Sequence, residues 1–501
     1  MKKRGKKCLA VLLSAVLALA IPGADLGRAY AAQFSALGTE ETGSYAVPGT
    51  TLALTYTVTD GSAAITGWTD SDTSKQYQLT IPDHVGNSYP VTKIGKEAFN
   101  HTGRFTSFTL PDTVTEIEDS AFWMCGLSSI SLDSALVTIG PSAFNECGLS
   151  EIELPDSVKT IGDYAFARNY NSLKKVTMTD SVTTFGNGVF LECNALESVK
   201  LSDSLKVLPQ GAFQNCYKLT DINLPSSLVE IGKDCFHGSG LTSLSLPSTL
   251  TTIGDMAFDT CNQMGNISIG AGVTSIGRGA FSNCGKTTAI TVDAANPAYC
   301  SQNGVLFTKA GDVLLCYPKG STAVSYTIPA SVTTIGSYAF HFSTLQHLNI
   351  AGKLVTIEDS GFREMGQLQA ISLPDSVTSI GASAFFDCVS LSTFTFPSHI
   401  ISINEDVLAW CTGLKTINLP ADLKYVNENA IRKGPSNFLT FYPGTEEEFY
   451  AKVQQDPFPF GTDTLRFTDS PADAEVTELL QKVDLYTSDG GATYSAQIKK
   501  L

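Results

Sequence analysis

Cysteines are the residues of this chain that most invite a chemical role, because a thiol can act as a nucleophile, a metal ligand or a disulfide partner. No C-x-x-C pair occurs, so the spacing does not indicate a zinc site. Eight of the twelve cysteines instead lie eight residues after a recurring hydrophobic residue that is often followed by glycine: Cys125, Cys147, Cys193, Cys216, Cys261, Cys284, Cys388 and Cys411. This regularity predicts a stacked column of small buried thiols.

The remaining cysteines do not share that position. Cys8 lies in the N-terminal segment, and Cys235 occupies a site where ten of fourteen repeating units have alanine, which also predicts burial. Cys300 and Cys316 flank an irregular apolar segment. From the sequence, they are either free or joined by a disulfide bond, and both alternatives stay open.

Other motifs give no indication of catalysis. The six histidines show no H-E-x-x-H spacing, and Gly285-Lys286-Thr287 lacks the first glycine of a phosphate loop because position 280 is Ala280. Glu446, Glu447 and Glu448 are typical of a solvated helix start, where acids complement the helix dipole. We therefore predict no catalytic, cofactor-binding or metal-binding residues, no cofactor and no enzymatic activity.

The elements that position these residues repeat along most of the chain. The hydrophobic anchor of each unit recurs in steps of 22 to 24 residues, with one step of 59, and phenylalanine follows it by five residues in the first twelve units. Such a period is typical of a solenoid. The anchors are Ile94, Ile117, Ile139, Ile161, Phe185, Leu208, Ile231, Ile253, Ile276, Ile335, Ile357, Ile380, Ile403 and Val426.

Each unit reads approximately L-x-x-I-x-L-P-x-S-V-x-x-I-G-x-x-A-F-x-x-C, as in 241–261. Alternating apolar residues predict a short strand with one buried face, which proline ends. A second extended piece leads through Gly254 into a short helical or 3-10 turn that buries Ala257 and Phe258. The fold class predicted is a β-rich solenoid in which stacked coils share one core, with an inserted β-hairpin and terminal caps.

The N-terminal segment predicts secretion. Basic residues precede an apolar run from Leu9 to Ile21, and Ala29-Tyr30-Ala31 fits a signal-peptidase site. Removal of 1–31 changes the formal charge from −16 to −21, because six basic residues and one acidic residue are lost. An acidic chain without basic clusters does not favour nucleic-acid binding. No later stretch is long enough to span a membrane.

The domain organisation follows from these patterns. The 59-residue step contains two apolar runs around Ala310-Gly311-Asp312, which predicts a hairpin that is either a tolerated surface insertion or a contact element. The predicted segments are a signal peptide (1–31), an N-terminal β cap (32–80), the solenoid (81–437) with its hairpin insertion (293–325), a C-terminal closing element (438–467) and a tail with one short amphipathic piece (468–501).

The repeated segments at 154–166 and 328–340 resemble the BspA-like leucine-rich repeats of bacterial surface proteins. The resemblance covers about 77–450. It implies a leucine-rich-repeat solenoid, an extracellular or cell-surface location and adhesion to proteins or other cells. No L-P-x-T-G motif accompanies it, so we expect any surface association to be non-covalent.

The outward positions of the first strand in each unit form the predicted binding face. We expect this face to bind an extracellular protein or glycan. A self-associating structural envelope component is the alternative, and a targeting arm for an extracellular hydrolase is a third, weaker one. The candidate face residues are Ser129, Ser131, Glu151, Glu153, Lys175, Thr177, Ser198, Lys200, Ser243, Ser245, His347, Asn349, Thr416 and Asn418.

Overall fold

The computed structural model of the chain describes residues 41–132, 135–435, 438–453, 460 and 464–469. The predicted signal peptide lies outside these residues, and so does the amphipathic piece Val476 to Val483 of the predicted tail. The described residues include all the repeat anchors, from Ile94 to Val426, and the irregular segment between two of them.

Three of the N-terminal strands form an antiparallel sheet that joins the solenoid through a further strand, β6. The N-terminal strands are β1 (Glu41–Ala46), β2 (Leu52–Thr59), β3 (Ser62–Asp70), β4 (Tyr77–Thr80), β5 (His84–Val85) and β6 (Tyr89–Ile94). Strand β4 lies in another sheet and pairs in parallel with Phe105–Thr109. Strands β1, β2 and β3 pair antiparallel in order, and β3 pairs in parallel with β6. Arg104 binds Asp70 at 2.6 Å, which ties the end of β3 to the following coil. The outer edge of β6 is thus covered by the chain's own strands.

Most coils of the solenoid hold a first strand from the L-x-x-I-x-L segment, and each holds a second strand that ends at the anchor. The segments 219–224, 241–246 and 368–373 form no regular first strand. Identical neighbouring segments stack in register, so Ile139 pairs with Ile161 and Val176 with Val199. The strands before the insertion are β7 (Phe105–Thr109), β8 (Glu116–Ile117), β9 (Ser129–Ser131), β10 (Thr138–Ile139), β11 (Glu151–Glu153), β12 (Thr160–Ile161), β13 (Lys175–Thr177), β14 (Thr184–Phe185), β15 (Ser198–Lys200), β16 (Val207–Leu208), β17 (Glu230–Ile231), β18 (Thr252–Ile253), β19 (Ile267–Ile269), β20 (Ser275–Ile276) and β21 (Ile290–Val292).

The segment after each anchor is a run of tight turns and not a regular helical or 3-10 turn. In one coil the amides of Ala257 and Asp259 donate three residues back, at 3.3 and 3.1 Å. The amides of Met256, Phe258 and Thr260 donate instead to carbonyls of the next coil, at 2.8 to 3.2 Å. Met256 and Thr260 have φ of 53° and 60°, and these left-handed residues interrupt any helix. Alternate amides therefore close the turn and join the coils.

The phenylalanines that follow the anchors form the predicted spine. Neighbouring rings from Phe99 to Phe281, and again from Tyr317 to Phe385, lie 5.1 to 5.7 Å apart between centroids and within 4 to 23° of parallel. This spacing is near the distance between adjacent strands, about 4.8 Å. Tyr317 takes the place of phenylalanine in the coil that contains the insertion.

The irregular segment adds β22 (Tyr299–Gln302), β23 (Val305–Thr308) and β24 (Val313–Cys316), which pair antiparallel in order. Cys300 and Cys316 are both free thiols. Their strands flank β23 on opposite sides, so two strand spacings, about 10 Å, separate them. A disulfide bond requires Cα atoms within about 7 Å, which excludes a bond between these two in this arrangement.

The second half repeats the same coil and is followed by a short helix and one more strand. Its strands are β25 (Ser325–Ile328), β26 (Thr334–Ile335), β27 (His347–Ile350), β28 (Thr356–Ile357), β29 (Ser379–Ile380), β30 (Thr393–Thr395), β31 (Ser402–Ile403), β32 (Thr416–Asn418), β33 (Tyr425–Val426), β34 (Leu439–Tyr442) and β35 (Leu465–Phe467). The helix α1 (Glu446–Lys452) has a capping box between Thr445 and Glu448, and the three glutamates lie in its first turn as predicted. Within the described residues, no helix is long and apolar enough to cross a membrane.

Candidate functional site

The first strands place the predicted face residues outward. In β11 the side chains of Glu151 and Glu153 are exposed while Ile152 between them is buried, and the same alternation holds in β15 and β27. Thr177, Thr416 and Asn418 are half-buried, whereas the other predicted face residues are exposed. Ser243 and Ser245 are exposed too, but they lie outside a regular strand.

Six of the predicted face residues line one groove. It lies across β9, β11 and β13 and encloses about 710 Å³. The remaining eight predicted residues lie farther along the column and do not line it. The six are Ser129, Ser131, Glu151, Glu153, Lys175 and Thr177.

The ladder between first strands is interrupted at one side of the groove. Strands β11, β13 and β15 pair over three residues each, and so do β7 and β9. Between β9 and β11 the amide of Ser150 reaches the carbonyl of Ser128 at 3.4 Å, and in the described backbone no bond joins 129–132 to 151–154. The first-strand ladder is thus interrupted between these two coils, as it also is after β15.

Carboxylates dominate the charge of the groove. Glu151, Glu153 and Asp156 are exposed at its walls, with Lys175 as the counter-charge. Although Glu151 and Lys175 are register partners, no ion pair of these four side chains is found in the described part of the chain. The groove is thus a polar opening with a local excess of negative charge.

Eight of the lining residues were not among the predicted candidates, and two of them, Asp156 and Thr179, are polar residues beyond the ends of the first strands. Asp156 follows Leu154-Pro155. Because the proline ends the first strand, it could have marked this strand-end position in the sequence. Thr179 lies in the next coil at the place of Pro155, and its Oγ1 is buried without a hydrogen-bond partner. No sequence signal marks this unmet hydroxyl.

The cysteine column has a role that the sequence did not reveal. The thiols of Cys193, Cys284 and Cys388 each donate to a spine carbonyl of the preceding coil, at 3.2 to 3.3 Å. The acceptors are the carbonyls of Phe166, Phe258 and Phe362. Asn169 takes the same position in its coil and donates to Phe144 and Phe166. The column therefore satisfies buried carbonyls as well as filling space.

Burial makes these thiols poor nucleophiles. Desolvation raises the pKa of Cys193 and of Cys261 to about 12, even though nearby hydrogen bonds act in the opposite direction. Since the thiolate is the reactive form, both groups are held in an unreactive state. In the parts of the chain that the structure describes, no group of three or more His, Cys, Asp or Glu side chains is arranged to hold a metal ion.

A second polar cluster lies beside the insertion. Nδ1 of His237 is 3.1 Å from Oδ2 of Asp259, and Ser282 donates a short hydrogen bond to the same carboxylate. The contact with Asp259 raises the pKa of His237 against the effect of burial. Burial alone would raise the pKa of Asp259, but His237 and Ser282 outweigh it and leave that pKa below its usual value. This is an ion pair that stabilises adjacent coils.

Comparison with known structures finds similarity to leucine-rich-repeat proteins of several bacteria. A leucine rich cell surface protein from Faecalibacterium prausnitzii A2-165 is 25% identical, with 83% of this chain and 99% of that chain covered and a TM-score of 0.49. A leucine-rich repeat protein from Bacteroides ovatus is also 25% identical, with coverages of 83% and 97% and a TM-score of 0.44. The pneumococcal vaccine antigen PcpA is 17% identical, with coverages of 83% and 98% and a TM-score of 0.41.

No curated protein matches the chain significantly. The sequence model of the BspA type leucine rich repeat region matches it in six copies, over residues 92–220, 188–298 and 316–437. These matches cover more than half of the chain, and the coils within them are those whose anchors and phenylalanines stack in register. The chain therefore belongs to the BspA-type leucine-rich-repeat family.

Proposed function

We propose that this protein mediates adhesion or protein–protein interaction outside the cell through the outward side chains of its first strands. The observation that carries the proposal is the ordered polar face, in which pairs such as Glu151 and Glu153 are exposed around a buried residue, coil after coil. Solenoids commonly use such extended surfaces for binding. Family membership supports the same proposal.

A stacked backbone favours this function energetically. The face residues of β11, β13 and β15 are held by parallel pairing in register, so their positions are fixed before a partner arrives. A preorganised surface avoids much of the conformational entropy that binding otherwise costs. Many modest contacts along one face can then add up to a stable complex.

The proposal is tested with the mature protein, residues 32–501, on an array of extracellular-matrix proteins, mucins and bacterial-wall glycans at low and raised salt. We expect saturable binding to at least one component. The variant Lys200→Ala removes a face residue, and Lys206→Ala removes an exposed lysine outside the first-strand face as the matched control. Weaker binding for the first variant alone supports the proposed face.

Two outcomes would argue against this function. Equal effects of both variants would mean that binding does not depend on the first-strand face. No hit on the array, together with concentration-dependent self-association in analytical ultracentrifugation, would favour the structural envelope role instead. Self-association at micromolar concentration with retained array binding would leave adhesion as the function.

We further propose that the protein is secreted after cleavage behind Ala31. The supporting pattern is the basic start, the apolar run from Leu9 to Ile21 and Ala29-Tyr30-Ala31. N-terminal sequencing of protein collected from the culture medium should begin at Ala32. Intact Met1 on the exported protein would contradict the assignment.

A further inference from the structure

We propose that an aromatic pocket on the turn side of the solenoid, between Trp123 and Tyr164, binds a short, neutral oligosaccharide of hexopyranose units. The pocket is lined by residues that follow the anchors by three, six or seven positions. It therefore lies on the turns after the second strands, and not on the first-strand face. The inference adds a second binding site to the proposed function and does not depend on it.

Two aromatic side chains form the walls of the pocket, which encloses about 430 Å³. Trp123 is half-buried, and His101 of the preceding coil packs against it with 4.4 Å between ring centroids and 74° between the rings. Tyr164 is 43% exposed, and its ring lies over Gly188 of the next coil, where an added Cβ would be 2.6 Å from Cδ1 of the tyrosine. Each ring is thus held by a neighbouring coil while it lines the pocket.

The distance between the two walls suits a sugar chain. Their anchors, Ile117 and Ile161, are two coils apart, which corresponds to about 10 Å along the solenoid, or two strand spacings. A disaccharide has a similar length, so each aromatic ring can contact a different sugar unit. The flat side of a hexopyranose ring carries C–H groups, which the electron-rich face of an aromatic ring attracts.

Polar side chains lie between the rings. Ser120 donates to Asp119 at 2.7 Å and keeps its oxygen as an acceptor, and Ser142 is half-buried. Asn145 is only 8% exposed, and its Oδ1 has no hydrogen-bond partner among the described residues. A buried polar atom without a partner lowers stability, so this amide gains a hydrogen bond if it turns toward a ligand hydroxyl. The hydroxyls at the rim of a sugar ring supply both donors and acceptors.

The backbone around the pocket is already bonded between coils. The amide of Ser142 donates to the carbonyl of Asp163 at 2.8 Å, and the amide of Met124 donates to the carbonyl of Asn145 at 3.0 Å. These amides are therefore not available to an extended peptide, the kind of ligand that recognises free strand edges. Because the same bonds fix the turns before a ligand arrives, binding costs little ordering. Both features favour a saccharide over a peptide.

Charge distinguishes neutral from acidic sugars. Arg168, which lines the pocket, lies 3.6 Å from Glu146 and 3.3 Å from Glu192. Two carboxylates thus balance its positive charge. Since the mature chain has a formal charge of −21, the field of the protein also repels anionic ligands. We therefore expect a preference for uncharged hexoses.

The arrangement occurs once along the fourteen anchored coils. Tryptophan follows the anchor by six residues only in the coil of Ile117, and tyrosine follows the anchor by three residues in the coils of Ile161 and Ile335. No tryptophan lies two coils before Tyr338. Tyr338 consequently has the same place in its coil as Tyr164 but lacks the second ring, which makes it a matched control.

The test combines isothermal titration calorimetry and saturation-transfer NMR on residues 32–501. The neutral probes are cellotriose, maltotriose and chitotriose, and trigalacturonic acid is the negatively charged probe. We expect saturable binding of at least one neutral probe and an affinity lower by about tenfold or more for trigalacturonic acid.

Variants of the protein locate the saccharide. Trp123→Ala and Tyr164→Ala should each lower the affinity by about tenfold, which corresponds to about 1.4 kcal/mol, because one sugar unit loses its aromatic contact. Trp410→Ala removes an exposed tryptophan elsewhere and Tyr338→Ala removes the matched tyrosine, and both should leave the affinity unchanged. Circular dichroism melting checks that the variants are folded.

Tryptophan fluorescence gives a readout that does not depend on the alanine variants. A bound neutral probe should change the emission of Trp123, which lines the pocket. The change should persist in Trp410→Phe and disappear in Trp123→Phe, although the phenylalanine keeps a ring in the wall.

Several results would overturn the inference. They are a lack of saturable binding for every neutral probe, equal affinities of the pocket variants and their controls, or binding of trigalacturonic acid as tight as that of the neutral probes. If Trp123→Ala weakens binding of an array protein while no saccharide binds, the pocket is a protein contact and the inference also fails. Loss of array binding in Lys200→Ala supports the proposed function in either case.

Discussion

At the residue scale, the thiol column connects side-chain chemistry to the stability of the stack. Cys388 is buried and donates to the carbonyl of Phe362 at 3.3 Å. A buried carbonyl that lacks a hydrogen-bond donor lowers the free energy of unfolding by about 1 to 3 kcal/mol. The regular use of cysteine at this position therefore reflects a small donor that fits a tightly packed column, and chemical reactivity is not needed to explain it.

This account predicts a difference between two substitutions of one cysteine. Cys388→Ala should destabilise the protein by about 1 to 3 kcal/mol, because the carbonyl of Phe362 loses its donor. Cys388→Ser keeps a donor and should cost less. Urea unfolding followed by tryptophan fluorescence measures both. Equal losses for alanine and serine would show that packing of the sulfur, and not hydrogen bonding, decides the position.

The pair of His237 and Asp259 predicts a pH dependence. The folded-state pKa of His237 is raised, so its contribution is complete below its unfolded value of about 6.5 and is lost as the pH rises through the folded value. The pKa of Asp259 is lowered, so its contribution is lost on acidification below the usual range of aspartate. The pair stabilises the coils most between these limits.

The measurement is thermal unfolding from pH 5 to 8.5 for the native protein and for His237→Asn. The native protein should lose more stability above pH 6.5 than the variant does, since the variant lacks the titrating group. His347→Asn is the control, because His347 is exposed on β27. Parallel melting curves for all three proteins would show that His237 does not stabilise the fold through its charge.

At the element scale, the turns after each anchor depend on left-handed residues at two fixed places, three and seven residues after the anchor. Ser383 is one of the first kind, with φ of 56°, and Gly211 occupies the equivalent place with φ of 63°. A residue with a side chain costs roughly 1 kcal/mol or more in this conformation, whereas glycine does not. The repeat thus retains a small, recurrent strain.

Exchanging the residue types tests this strain. Ser383→Gly should stabilise the protein by about 0.5 to 1 kcal/mol, and Gly211→Ala should destabilise it by about 1 kcal/mol, because an alanine would have to keep the left-handed φ of 63°. Steric contact adds little, since the near neighbour of a Cβ at Gly211 is the flexible side-chain oxygen of Gln214 at 3.2 Å. Ser383→Ala keeps the backbone cost and serves as the control. A loss of stability in Ser383→Gly, measured by thermal unfolding, would refute the account.

The same turns show how much of the fold could be predicted from the sequence alone. The anchors and phenylalanines were predictable because their type and spacing recur, and the structure confirms the solenoid and its spine. The left-handed positions could not be predicted, because residues as different as Tyr164 and Trp410 occupy them and no glycine pattern marks them. The groove also escaped prediction, because 129–132 has the same sequence pattern as 151–154, whose strand pairs fully with the next coil.

At the scale of the whole molecule, the insertion divides the hydrophobic interior. The buried residues form two clusters, and β23 lies between them, with Leu306 in the first cluster and Val305 and Phe307 in the second. The second strands also divide here, because β20 and β24 belong to different sheets. In a solenoid each coil is stabilised chiefly by its neighbours, so a divided core weakens the coupling between the two halves.

Two spine substitutions test whether the halves unfold separately. Phe258 belongs to the first cluster and Phe385 to the second. Replacing either with alanine should lower the free energy of unfolding by about 3 to 5 kcal/mol, the usual effect of truncating a buried phenylalanine. If coupling across the insertion is weak, hydrogen exchange measured by mass spectrometry should rise mainly in 92–276 for the first variant and in 325–435 for the second. A uniform rise in both variants would show one cooperative unit. An unchanged melting temperature for Phe258→Ala would refute the stabilising role of the spine, whichever way the halves behave.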